Sequence, residues 1–366
     1  MAITIREVAA RAGVAPSTVS RVLAGSSRIS PETQERVRRA MKELKYHPHA
    51  LARGLARKSS GTLGLIIARP AEQAFSNPFF AEVIRGIGSV LEGESYNLLL
   101  AAVSSPEKGR QECLRMLRGR QVDGVILSSS RVGDRLVETL VRDQMPFVLI
   151  GRALRSDLTE LSPVLSVNND NIEVGRTVTA HLLSQARRRV AFLSGPQDLV
   201  VSQDRRRGYE EALTAAGLAV DERLIACCDF AREGGYRGMQ AVLDSGVRPD
   251  AVFAADDMVA LGALKALTER GLDVPGDVAL AGVNDDPAAS LVSPGLTTVR
   301  ISVFDMGVRA AQLLLQRVRR SGEAPLHQSV LLPTELIVRG SSLTHHRERG
   351  SRSEQAGGLP GLEILP

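Results

Sequence analysis

The sequence predicts a small all-α head joined to an α/β body of two doubly wound parallel-sheet lobes. Three observations carry that prediction. Residues 1–60 hold 12 Lys or Arg against four Glu, a net of +8, whereas residues 61–344 hold 31 basic against 34 acidic side chains. Three short, well-capped helical stretches occupy the basic part. From Thr62 onward, eight apolar runs of five to seven residues alternate with helix-length amphipathic segments, the pattern of parallel strands with crossover helices. A basic head on a near-neutral body points to a polyanionic partner for the head and a separate task for the body. A solvated basic helix is the plainer reading of the same charge.

Composition sets further bounds. The chain has 366 residues, 43% of them apolar, 24% charged and 3% aromatic, which is globular composition and length enough for two or three domains. No stretch approaches the ~18 uncharged apolar residues needed to cross a bilayer. Arg6 and Glu7 stand where the apolar core of a secretory leader would begin, so a cytoplasmic protein with no membrane partner is expected. Cys113, Cys227 and Cys228 form no CxxC pair, and buried free thiols are expected rather than a disulfide framework or a metal site. His47 and His49 flank a proline with no Cys or carboxylate nearby, which gives little support to metal ligation. No cofactor is expected.

In the head, Thr4 and Glu7 have capping-box spacing, with Ile3 and Val8 placed as the accompanying hydrophobic staple. That helix runs through Val8, Ala9 and Ala12 to Gly13, whose permissive backbone suits a sharp turn. A second helix, Pro16 to Leu23, turns Val19, Val22 and Leu23 inward, so the pair is a helix-turn-helix candidate. Ser30-Pro31-Glu32 supplies an N-cap, an N1 proline and an acidic first turn for a third helix. Its buried stripe is Val37, Met41 and Leu44, and it ends near Tyr46-His47-Pro48. Three helices of this size enclose one small core.

The segment TIREVAARAGVAPSTVSRVLAG, followed by YHPHALARGLARKSSGTLGLI, resembles the start of the lactose repressor/galactose repressor family of bacterial transcription regulators, and the resemblance covers about 340 residues. It implies double-stranded DNA as the partner, with the second helix in the major groove. Pro16 and Ser17 then take base-reading positions, Thr18 and Ser20 lie near phosphates or base edges, and Arg21 contacts a guanine. Taken alone, Arg21 reads as a solvated surface residue. Two positions depart from the family pattern. Ala15 stands where Ser or Thr usually caps the helix, a loss of about 1 kcal/mol that Pro16 at N1 partly offsets. Ala24 replaces a phosphate-contacting asparagine, leaving Ser26, Ser27 and Arg28 as substitutes.

In the linker, ALARGLAR is alanine-rich enough to be helical yet too short to be stable alone. By the resemblance it becomes a hinge helix when two subunits lie on an operator, and Leu55 wedges into the minor groove at the central base step. Packing of Leu55 back onto the body is the alternative.

The apolar runs of the body are TLGLIIA, NLLLAAV, GVILSS and FVLIG, then RVAFLSG, LIACCDF, AVFAAD and VALAGVN. The first set ends near Leu161 and the second near Leu291. TTVR, a helix over 303–320 and VLLPTELIVRG bring the chain back, so the lobes are joined by several crossings, which is also the family's periplasmic-binding-protein-like arrangement. The predicted division is a head at 1–46, a linker at 47–60, a body at 61–344 and a disordered polar tail at 345–366. Within the body, the first lobe takes about 61–161 and 292–325, and the second about 162–291 and 326–344.

A ligand is expected in the crevice beyond the carboxyl ends of the strands. By the resemblance, the crevice is faced by Asn77-Pro78-Phe79-Phe80, which opens the helix after the first strand, with Asn77 as its cap and Phe79 or Phe80 as an aromatic wall. Ser128 ends the third strand. By the resemblance, Arg205 clamps the ligand, Phe230 stacks on it, and Asp256 and Asn284 are polar cleft positions. Each has a plainer reading, with Phe80 as core, Arg205 as one of three surface arginines and Asp256 as a helix cap. Gly151 and Asn284 stand where many sugar-responsive relatives carry aspartate. With two carboxylates fewer, and Arg152 and Arg205 nearby, the cleft is expected to favour a sugar acid or phosphorylated sugar over a neutral sugar.

Together these features predict a sequence-specific DNA-binding regulator, read as a repressor. It would sit as a homodimer on a near-palindromic operator and be switched by a small-molecule effector. A solute-binding receptor fits the body but not the basic head. No GxSxG, HExxH, GxxxxGK or GxGxxG element supports an enzyme, and no catalytic residue is expected.

Overall fold

In the computed structural model of the chain, the described residues are 3–23, 26, 28–46, 59–320 and 328–343. Most of the linker, with His47, His49 and Leu55, lies outside them, as do Ala24, Ser27 and the tail from residue 345. Among the described residues no helix is long and apolar enough to cross a membrane.

Three helices form the head: α1 Ile5–Ala12, α2 Pro16–Leu23 and α3 Pro31–Glu43. Glu7 Oε2 accepts from the Thr4 amide at 2.6 Å and from the Thr4 hydroxyl at 2.9 Å, so the first helix is tied at its start as its spacing predicts. The staple differs. Ile3 is exposed, and Ile5, which lies one turn before Val8 and Ala9, packs against the head core instead. Gly13 turns the chain at φ +64°, and the Val14 amide reaches back to the Ala9 carbonyl at 3.0 Å. Val8, Ala9, Val19, Val37 and Ala40 close the core, with Met41 and Leu44 at its margin.

The body holds two six-stranded sheets. The first contains β1 Thr62–Ile67, β2 Asn97–Ala102, β3 Gly124–Leu127, β4 Phe147–Ile150, β5 Leu165–Asn169 and β11 Gln328–Leu332. Its order is β11-β5-β4-β3-β1-β2, with every pair parallel. The second contains β6 Val190–Ser194, β7 Ile225–Cys227, β8 Ala251–Ala254, β9 Ala279–Asn284, β10 Thr297–Ile301 and β12 Thr334–Ile337. Its order is β12-β10-β9-β8-β6-β7, parallel except for β12 against β10. Helices α4 Ala71–Ser76, α5 Pro78–Leu91, α6 Pro106–Arg118, α7 Arg135–Arg142 and α13 Val303–Arg319 belong to the first lobe. Helices α8 Asn171–Ser184, α9 Val200–Ala215, α10 Arg232–Asp244, α11 Asp257–Glu269 and α12 Pro287–Leu291 belong to the second.

The lobe boundaries differ from the predicted divisions near residues 161, 291 and 325. LSVNN, too short and polar to stand out as a strand, is β5 of the first sheet; Thr297–Ile301 pairs within the second, and Gln328–Leu332 within the first. Each crossing leaves the C-terminal end of a strand: β5 into α8, β10 into α13, and β11 into β12. Parallel strands all end at one edge of their sheet, so a chain that changes lobe does so there, and the crevice between lobes opens at the same edge.

Packing fixes the elements that carry the crevice. Helices α8 and α9 touch through Gly175 and Gly208, where a Cβ would collide with the backbone carbonyls of Arg205 and Ile172 respectively. That close approach sets the height of Arg205 on α9. Phe192, Tyr209 and Phe253 form a fully buried ring cluster behind it, and the Tyr209 hydroxyl donates to the Val190 carbonyl at 2.9 Å. Cys113 and Cys228 are buried, with thiols pushed up to about 12 by burial. Cys227, also expected to be buried, is exposed: β7 is an edge strand, and neighbouring side chains on a strand face opposite ways.

Candidate functional site

Two surfaces gather the predicted residues. On the head, α2 turns Val19 into the core, leaves Pro16, Ser17 and Arg21 exposed, and holds Thr18 and Ser20 half-buried. Ser17 and Arg21 stand four residues apart and therefore share one helix face. The Arg21 guanidinium has no ion pair or side-chain hydrogen bond among the described residues. Arg11 on the neighbouring helix is instead paired with Glu43 at 2.6 Å. The head thus presents a short polar face ending in an exposed arginine that has no ion pair among the described residues.

In the body, Asn77, Phe79, Phe80, Ser128, Arg152, Arg205, Phe230, Asp256 and Asn284 all line one crevice between the lobes, with about 770 Å³ of empty space including the part open to solvent. Asn77 caps α5 by accepting from the Phe79 amide at 2.9 Å. Its Nδ2 then reaches across the lobes, donating to the Phe230 carbonyl and to Asp256 Oδ2, each at 3.3 Å. Asp256 is both helix cap and cleft residue. Its Oδ1 accepts from the Met258 amide at 2.8 Å, and its Oδ2 also accepts from Asn284 Nδ2 at 3.0 Å. Phe80 likewise belongs to the core and to the wall, meeting Phe79 edge-on with centroids 5.3 Å apart.

Arg205 is no surface arginine. It is 4% exposed, whereas Arg206 and Arg207 beside it pair with Glu210 and Glu211 on the outside. Its Nε donates to Asn171 Oδ1 at 3.0 Å and its Nη1 to the Ala255 carbonyl. Burial pulls its pKa down to about 10, while Asp256, Asp257 and Asp204 oppose the shift. Burial also raises the Asp256 carboxyl, against the hydrogen bonds it accepts. Phe230 and Asn284 hold left-handed backbones at φ +58° and +119°, costly for residues with a Cβ and concentrated at binding sites. The Phe230 ring fits because Gly195 has no side chain: a Cβ there would overlap the ring.

Sequence reasoning missed several cleft residues and misread one. Arg69 lies over the Phe230 ring at 4.9 Å and the Phe80 ring at 5.7 Å, and donates to the Asp229 carbonyl at 3.3 Å. Its place just after β1 was a usable signal, since strand ends form the crevice. Asn168, Asn169 and Asn171 line the crevice at the β5 crossing, which was itself unrecognised. Arg152 was expected to welcome an anion. Instead its Nε donates to Asp204 Oδ2 at 2.8 Å and its Nη2 to Oδ1, a two-pronged pair across the lobes that raises the guanidinium pKa.

An exposed polar helix face ending in an arginine, on a chain that also carries a two-lobed body with a polar crevice, is the build of a DNA-binding regulator that responds to a small molecule. Residues 4–49 match the family described as bacterial regulatory proteins, lacI family, and residues 179–342 match the periplasmic binding protein-like domain. Over 338 residues the chain is 38% identical to the HTH-type transcriptional regulator CelR of Thermobifida fusca, covering 92% of this chain and 98% of that one. The structure of a CelR–cellobiose complex aligns with a TM-score of 0.71 at 37% identity, over 93% of this chain and 99% of that one. A lac repressor dimer bound to operator and the anti-inducer ONPF aligns with a TM-score of 0.78 at 26% identity, over 94% of this chain and 100% of that one. The chain belongs to the lacI family of bacterial regulatory proteins; it is a DNA-binding transcriptional regulator and not an enzyme.

Proposed function

We propose that the chain acts in the cytoplasm as a homodimer on a near-palindromic operator, reading bases through Ser17 and Arg21 with Pro16, Thr18 and Ser20 beside them, and that its effector is a neutral sugar held between the lobes. The observation that carries the effector reading is the pairing of every cleft cation. Arg152 is taken by Asp204, Arg205 by Asn171 and the Ala255 carbonyl, and Arg69 by the Asp229 carbonyl and two rings. A phosphate or carboxylate would compete with Asp204 for Arg152, whereas a neutral ring needs only what the crevice offers: aromatic faces at Phe79, Phe80 and Phe230, and amide, hydroxyl and carboxylate groups at its rim. The cellobiose bound by CelR is of that neutral class. This replaces the expectation of a sugar acid or sugar phosphate, which assumed a free Arg152.

Closure around such a ligand shifts the balance between open and closed lobes only if the two forms bind it differently. A ligand touches Phe79 and Phe80 of the first lobe and Phe230 of the second at once only when the lobes meet, and those two-sided contacts supply that difference. Thermal melting of the full chain against neutral mono- and disaccharides, sugar acids and sugar phosphates tests the reading. A rise confined to neutral sugars and lost in Phe230→Ala is expected. A rise confined to acids or phosphates would overturn it.

A further inference from the structure

The junction where the linker enters the body is built around one side chain. Ser59, Ser60 and Gly61 converge on a single half-buried carboxylate. Asp123 Oδ1 accepts from the Ser60 amide at 2.6 Å and the Ser60 hydroxyl at 3.0 Å, and Oδ2 accepts from the Gly61 amide at 3.0 Å and from the Ser59 hydroxyl. Gly61 takes φ +62° there, which gives the chain its bend into β1. The neighbouring backbone joins in, with the Asp123 amide donating to the Thr62 carbonyl at 2.8 Å. Four hydrogen bonds from three consecutive residues thus meet on one side chain, and bonds to a carboxylate are roughly twice as strong as neutral ones.

The placement of this clamp gives it a use. Gly61 leads straight into β1 and Asp123 straight into β3, and these two strands are hydrogen-bonded neighbours. At their far ends stand Arg69, over the Phe230 ring of the other lobe, and Ser128, in the crevice wall. The same pair of strands therefore has one end in the effector crevice and the other in the grip on the linker.

We propose that Asp123 is a positioning residue for DNA recognition: it makes the start of the linker move as one body with the first-lobe sheet, so that the orientation of the heads follows the lobes. The proposal rests on the DNA-reading role argued above. Without the clamp, residues 59–61 become a loose tether; each head still finds phosphates, but the two heads no longer arrive in register on their half-sites.

The test uses the full chain and, as probe, a duplex selected by the wild-type protein from a random-sequence pool, with a scrambled duplex of equal length as reference. Asp123→Ala is expected to lower the ratio of selected to scrambled affinity about tenfold, with scrambled affinity unchanged. Asp123→Asn, which keeps one accepting oxygen, is expected to fall between. A residue that only stabilised the fold would lower the melting temperature and the active fraction but leave that ratio unmoved. An unchanged ratio in folded Asp123→Ala overturns the proposal. If that variant does not fold, an unchanged ratio in the Ser59→Ala/Ser60→Ala pair, which removes the hydroxyl donors alone, does the same. A wild-type chain that selected no duplex would overturn the DNA-reading role and this inference together.

Discussion

The arginines of the head and those of the crevice have opposite surroundings. Arg21 is exposed on α2 and has no ion pair among the described residues, whereas Arg69, Arg152 and Arg205 are drawn into the body and each is met by an acceptor, a carboxylate or a ring. The difference shows how one chain serves two kinds of ligand. A free surface cation is ready to replace counterions on a phosphate backbone and to fork onto a base edge. A buried, paired cation is costly to disturb, so it shapes and polarises a cavity without recruiting an anion.

The sharpest way to break this comparison is to remove a buried cation. Arg205→Ala strands the Asn171 amide oxygen and the Ala255 carbonyl and leaves Asp256 without its nearest counter-charge; a loss of about 3–5 kcal/mol in stability is expected, with effector binding abolished. Urea unfolding and calorimetry on the same sample would show both. Arg21→Ala should leave stability untouched and cost about 1–3 kcal/mol of duplex affinity per half-site, with sequence preference relaxed at one base pair. Fluorescence anisotropy against single-base variants of a selected duplex reads that change.

A third prediction concerns a buried carboxyl beside the crevice. Asp286 is 7% exposed, its Oδ2 has no hydrogen-bond partner among the described residues, and burial followed by the charge of Asp256 pushes its pKa up to about 7. A folded pKa above the unfolded value near 3.8 means that protonation favours the native state. Its contribution is therefore full below pH ~4 and is lost as pH rises through about 7. Asp286→Asn should raise the melting temperature by a few degrees at pH 8 and hardly change it at pH 4.5. An equal shift at both pH values would contradict the assignment. The smallest expected effect is Ala15→Ser, which adds a capping oxygen ahead of Pro16 and should gain about 1 kcal/mol, visible as slower amide exchange along α2 with duplex preference unchanged.

Particular residues show why parts of this protein are legible in its sequence. The crevice itself could be placed because strand ends in a parallel sheet must face it, and runs such as AVFAAD and VALAGVN mark where those ends fall, whereas the nine cleft positions, Arg205 within a helix among them, were legible through the family resemblance. The turn at Gly13 and the cap at Ser30 were readable because both are local. β5 was missed because LSVNN lacks the apolar weight of its neighbours, and with it went the first crossing and Asn168, Asn169 and Asn171. The state of Arg152 depends on Asp204, 52 residues away on another lobe, and no local pattern reports that pairing. The clamp of Ser59–Gly61 on Asp123 is hidden for the same reason.

The most direct test of the central claim is the salt dependence of two affinities measured on one preparation: that for a selected duplex and that for the neutral sugar that raises the melting temperature. Free head charge and paired crevice charge predict a steep fall for the duplex, with a slope of about −0.9 per phosphate neutralised, and a flat line for the sugar. A crevice ligand whose affinity falls with salt as steeply as that of the duplex would show that the crevice arginines recruit an anion after all, and would contradict the account.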